Sequence, residues 1–162
     1  MYDDLLPEPQ PGRSEVRHIG PYRLVERIGE GGMAVVYRAE QDQHLKRTVA
    51  IKLAKFGIDT DEVLRRFNAE RQTLSSLDHP NIARLFDAGV SESGRPYFVL
   101  EFVAGTSITS WCAKHAAAMD TRLQLFAQTC RAVQYAHSRG VIHRDLKPAN
   151  VLVCGAIDGP VV

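Results

Sequence analysis

Residues 28–39 read IGEGGMAVVYRA, and the residues on either side of the glycines decide the fold. Gly29, Gly31 and Gly32 sit in a short loop, where missing side chains let backbone N–H groups come close to phosphate oxygens. A dinucleotide-binding fold needs such a loop to lead from a strand into a helix. Here VVYRA predicts a strand after the loop, and YRLVERI, residues 22–28, predicts one before it. Strand, glycine loop, strand is the start of an antiparallel sheet.

TVAIKL at residues 48–53 is the next strand. Lys52 alternates with Val49, Ile51 and Leu53, so it shares the opposite face with the small Ala50 and leaves room there for a flat ligand. Asp59 can cap a helix, with Glu62 completing a capping box. Val63, Phe67, Leu74 and Leu77 then recur at helical spacing until His79-Pro80-Asn81. Glu70 falls on that apolar stripe. An inward carboxylate needs a cation, and Lys52 is the lysine of a neighbouring strand facing the same interior. IARLFDAGV and PYFVLEFV come after the helix as a hairpin joined by SESGR.

Beyond Gly105 the pattern turns helical, with a short helix over residues 107–115 and a long one over TRLQLFAQTCRAVQYAHSRG, closed by Gly140. Next comes HRDLKPANVLV, residues 143–153, which gathers Asp145, Lys147 and Asn150 between the long helix and an apolar strand. A carboxylate there can accept a hydroxyl proton, a lysine can neutralise a migrating phosphoryl group, and an asparagine oxygen can ligate magnesium. The fold class expected is α+β.

Composition narrows the partners. The chain has 162 residues, 44% hydrophobic and 24% charged, which is ordinary globular material. Its net charge of +1, from 20 basic and 19 acidic residues, lacks the electrostatic footprint of a nucleic-acid binder. Cys112, Cys130 and Cys154 form no CxxC pair, which fits reduced thiols and a cytoplasmic setting. The start, MYDDLLPEPQPG, is unlike a signal peptide, and no apolar run approaches the roughly 20 residues of a membrane span. A membrane anchor elsewhere in a parent protein stays open.

Taken in order, GEGGMAVV, VAIK, the inward Glu70, HPNI and HRDLKPAN resemble the eukaryotic-like Ser/Thr protein kinases, bacterial members above all. Lys147 stands where the Ser/Thr class keeps its lysine. The resemblance implies a kinase fold: a flexible extension over 1–20, an ATP-binding lobe over 21–102, and a partial helical lobe over 103–162. It implies ATP and Mg2+ as the cofactors and protein Ser/Thr hydroxyls as the acceptors. Ile28, Gly29, Glu30, Gly31, Gly32, Met33 and Ala34 match the phosphate loop, and Val36 and Ala50 the adenine contacts. Leu100 matches the gatekeeper, Glu101 and Val103 the hinge, and Leu152 the floor of the site. Lys52 would bind the α/β-phosphates, held by Glu70, while Asp145 matches the base, Lys147 the phosphate contact and Asn150 the metal ligand. Arg144 resembles the arginine of kinases that are switched on by phosphorylation.

Ala34 replaces the last loop glycine, a small change. The chain reaches Val162 within what resembles the strand before Asp-Phe-Gly, so these residues alone are expected to bind nucleotide weakly and transfer no phosphate. The same reasoning expects Phe126, Cys130 and Val133 to expose an apolar helix face. Two other function classes remain: a non-catalytic kinase-like binding module, and a small-molecule phosphotransferase, whose relatives carry glycine in place of Arg144. Oligomeric state is not readable.

Overall fold

The computed structural model describes residues 18–32, 34–42, 46–55 and 76–154. The chain divides into two compact units: Met1–Arg71 with Leu85–Phe102, and Gln72–Arg84 with Val103–Val162.

The first unit is built on alternation. It is a six-stranded antiparallel sheet ordered β1-β2-β3-β4-β6-β5, made of β1 (His18–Ile19), β2 (Tyr22–Glu30), β3 (Ala34–Gln41), β4 (Arg47–Ala54), β5 (Leu85–Val90) and β6 (Pro96–Glu101). The aliphatic residues of β4 bury one face, where Val49, Ile51 and Leu53 pack with Tyr22, Ala39, Tyr97 and Val99. Removing each such side chain from water contributes about 1.5–3 kcal/mol. Arg95 is also buried, and its Nε donates to the Ala54 carbonyl at 2.6 Å.

Two details differ from the sequence expectation. Strand β1 at His18–Ile19 lies ahead of Pro21, where the sequence reading placed the start of the fold, because Gly20 takes φ +53° and turns β1 back on β2, burying Ile19. The segment 82–84 precedes β5 instead of belonging to it.

The second unit holds β7 (Thr106–Ser107) paired with β8 (Leu152–Val153), and the helices α1 (Ile108–Lys114) and α2 (Met119–Ser138). Ser107 caps α1 by accepting from the Ser110 N–H. Gly140, at φ +76°, ends α2 as expected, its N–H donating to the His137 carbonyl. Leu125 of α2 is fully buried against Cys112 and Val153, with Ile108 and Trp111 around them.

Residues 76–84 join this second unit, although the sequence reading ran the first lobe unbroken to 102. Tyr135 of α2 is the physical reason. Its hydroxyl accepts from the Asp78 N–H at 3.0 Å, and its ring lies 4.9 Å from that of His79. No disulfide joins Cys112, Cys130 and Cys154. Among the described residues no helix is long and apolar enough to cross a membrane.

Candidate active site

The register of β3, β4 and β6 assembles one face of the first unit. Residues directly opposite in an antiparallel pair share a face. Lys52 stands opposite Val36 and Phe98, and Ala50 opposite Arg38 and Leu100. Ala34 pairs with Ala54 on the same face. Lys52, Val36, Ala50 and Leu100, singled out separately in the sequence, thus lie side by side, with Lys52 exposed and Ala50 buried beneath. Glu101 pairs with Val49 and therefore belongs to the other face.

The glycine loop closes as a tight turn, in which the Gly31 N–H donates to the Ala34 carbonyl at 2.8 Å. That donor is occupied while the turn is closed. No close contact among the described residues explains Gly31 or Gly32. A Cβ on Gly32 would meet nothing within 4 Å, one on Gly31 only the Ala34 carbonyl at 3.8 Å, and neither residue needs a left-handed φ. Space that a methyl group could fill without strain, at the mouth of a hairpin, is what a closely approaching phosphate requires.

In the second unit, HRDLKPAN folds on itself. Lys147 Nζ donates to both oxygens of Asp145, at 3.0 and 2.9 Å. Asn150 Nδ2 donates to the Asp145 carbonyl at 2.7 Å and to its Oδ2 at 3.1 Å. The ammonium of Lys147, then the amide of Asn150, hold the Asp145 carboxyl below its ordinary range, which favours its ionised form. A 3₁₀ turn at Pro148–Asn150 brings the two side chains within reach. Because Asn150 Nδ2 is committed to Asp145, the Oδ1 is the atom left for a cation. Arg144 adopts φ +61°, a strained conformation for a residue with a Cβ, and the Asp145 N–H donates to the His143 carbonyl across it.

A protein kinase domain model matches residues 22–157. This chain belongs to the protein kinase family. Among its relatives is a probable serine/threonine-protein kinase PknB of Lactococcus lactis, 40% identical over 134 residues, 82% of this chain and 21% of the relative. PknA of Mycobacterium tuberculosis is 41% identical over 141 residues, 83% of this chain and 32% of the relative. Among solved structures, the kinase domain of Mycobacterium tuberculosis PknI aligns with a TM-score of 0.67 at 29% identity, covering 87% of this chain and 58% of that one. Rad53 residues 1–466, solved in complex with AMP-PNP, aligns with a TM-score of 0.69 at 30% identity, over 82% of this chain and 34% of that one. The chain thus spans about a fifth of the length of the PknB relative.

Within the kinase domain, the expected site residues fall into two groups. Ile28, Gly29, Glu30, Gly31, Gly32, Ala34, Val36, Ala50, Lys52, Leu100 and Glu101 belong to the first unit. Val103, Asp145, Lys147, Asn150 and Leu152 belong to the second, where Leu152 of β8 pairs with Ser107 of β7. Met33, Glu70 and the helix expected to carry Glu70 lie outside the described residues. Among those described, no three His, Cys, Asp or Glu side chains form a metal cluster.

Sequence reasoning missed Lys55 and Arg27 as ion-pair partners of Glu30, and Tyr135 as the anchor of the His79 segment. Lys55 was legible in principle, being two residues past Leu53 on an alternating strand. Tyr135 lies 57 residues from Asp78 and left no local signal.

Proposed function

We propose that this chain carries the nucleotide-binding sheet and catalytic loop of a kinase that transfers the γ-phosphoryl group of ATP to Ser or Thr hydroxyls of proteins. The observation that carries the reading is the Asp145 carboxylate held by Lys147 and Asn150 in one short turn. The acceptor oxygen attacks the γ-phosphorus, and the bond to the β,γ-bridging oxygen breaks. ADP leaves with that electron pair, and the hydroxyl proton passes to Asp145. Lys147, beside the base, offsets charge on the transferring group.

Lys52 offers an ammonium to the α/β-phosphates on the face that also carries Val36, Ala50 and Leu100, and those three suit a flat adenine. Asn150 Oδ1 is the oxygen that would hold Mg2+, an ion that binds proteins through few side chains and otherwise through water and phosphate oxygens. Held there, Mg2+ would supply positive charge to offset that of the phosphate groups. ATP as substrate and thiols without disulfides support a cytoplasmic location for this domain. The relatives named as Ser/Thr kinases, together with Lys147, favour protein acceptors over small molecules.

The test is transfer of labelled phosphate from ATP by the full-length protein, with phosphoamino acid analysis of the product. Asp145→Asn should lower turnover by roughly 10²–10⁴-fold while an ATP analogue still binds. Unchanged transfer in that variant, or phosphate appearing on a sugar or other small molecule, would sink the proposal. Nucleotide binding with no transfer by the unaltered protein would favour a non-catalytic module.

A further inference from the structure

The carboxylate of Glu30, at the root of the glycine turn, has one cation on each oxygen. Lys55 Nζ donates to Oε1 at 2.6 Å, and Arg27 Nη1 donates to Oε2 at 2.7 Å. Arg27 and Glu30 are three residues apart on one strand, a spacing that ordinarily puts side chains on opposite faces. A register shift between Arg27 and Gly29 alters this: Arg27 now pairs with Tyr37, and Glu30 with Val35. Tyr37 and Val35 share a face, so Arg27 and Glu30 do too. Leu53, opposite Val35, shows that this is the buried face of the sheet, and Lys55 extends it past the end of β4.

Lys52, Val36 and Ala34 occupy the other face. The side chain of Glu30 is therefore turned away from the ligand face, and its cations bridge the ends of β2 and β4 across β3. The backbone of the same residue leads directly into Gly31 and Gly32. The Lys55 hydrogen bond holds the Glu30 carboxyl below its ordinary range, so the clamp is charged at neutral pH.

We infer that Lys55, with Arg27, is a positioning residue: it clamps Glu30 from behind the sheet and sets the conformation in which the Gly31–Ala34 turn receives phosphate. This rests on the reading of that turn as the ATP-phosphate site. An ion pair between half-exposed groups is worth little in water, so the clamp tunes affinity and does not create it.

The experiment measures, on the full-length protein, amide hydrogen exchange at Gly31 and Gly32 without nucleotide, and affinities for ATP and for adenosine. In Lys55→Met and in Glu30→Gln the turn should exchange faster, and ATP should bind about three- to fivefold more weakly, within the range of such pairs. Adenosine, which has no phosphate for the turn to receive, should bind as before, and Lys55→Arg should restore the ATP affinity. Equal weakening of ATP and adenosine, or unchanged exchange at the turn, overturns the inference, as does Lys55→Arg behaving like Lys55→Met. If the unaltered protein binds neither ligand, the ATP-site reading falls, and the exchange rates alone decide whether the clamp orders the turn.

Discussion

Asp145 shows how a few neighbouring atoms set the charge state of a carboxyl group. Lys147 contacts both of its oxygens and so favours the ionised form, with Asn150 adding a second donor. A lowered folded-state pKa stabilises the folded protein above the ordinary carboxylate pKa, and that contribution is lost as pH falls through the folded value. Lys147→Met should accordingly raise the Asp145 midpoint toward the ordinary aspartate value, read by carboxyl-resolved NMR titration, and shift the acid limb of kcat/KM to higher pH. A midpoint that stays put would assign the shift to Asn150. Gly32 makes the complementary case. A methyl group there meets nothing within 4 Å among the described residues, so Gly32→Ala should leave thermal stability within about 0.5 kcal/mol while weakening ATP binding. Calorimetry and nucleotide titration separate the two effects.

Strands and helices set the next level, and here backbone proximity decides what is tolerated. Gly105 runs against β8 so closely that a Cβ would stand 2.7 Å from the Val153 carbonyl oxygen. Gly105→Ala must push β8 from β7, at a cost of about 1–3 kcal/mol typical of overpacking. The expected readout is a lower denaturant midpoint with an unchanged m-value. β4 divides its two faces differently: Val49, Ile51 and Leu53 fill the sheet core, which leaves Lys52 and Ala50 on the opposite face. The Phe86 ring of β5 is covered by Arg47, whose guanidinium carbon lies 4.2 Å from its centroid.

Across the whole molecule, apolar surface is distributed unevenly. On α2, Met119, Leu123 and Phe126 are 68%, 57% and 64% exposed, more than a solvated helix face usually carries. Phe126, Cys130, Val133 and Leu146 line an open groove along that helix, in line with the exposed apolar face expected from the kinase resemblance. The 162-residue chain should therefore self-associate with rising concentration and bind a hydrophobic dye. Leu123→Gln with Phe126→Glu should suppress both without lowering the melting temperature, as sedimentation and dye fluorescence would report. A concentration-independent monomer that ignores the dye would refute this.

Much of the fold and candidate site was legible because it is local. Period-two alternation in β4 put Lys52 opposite the core, and the glycine turn between two strands excluded a dinucleotide fold. Asp145, Lys147 and Asn150 lie within six positions, so their spacing already held the geometry that the hydrogen bonds complete. Other features were decided only in three dimensions. The register shift in β2 brings Arg27 and Glu30 to one face, Tyr135 draws residues 76–84 to the helical unit, and Val153 demands a glycine at 105. Each depends on which distant backbone or ring comes to lie alongside, and that is set by cross-strand hydrogen bonding and side-chain volume. Spacing along a chain encodes neighbours a few residues away, whereas register and close approach are properties of the packed whole.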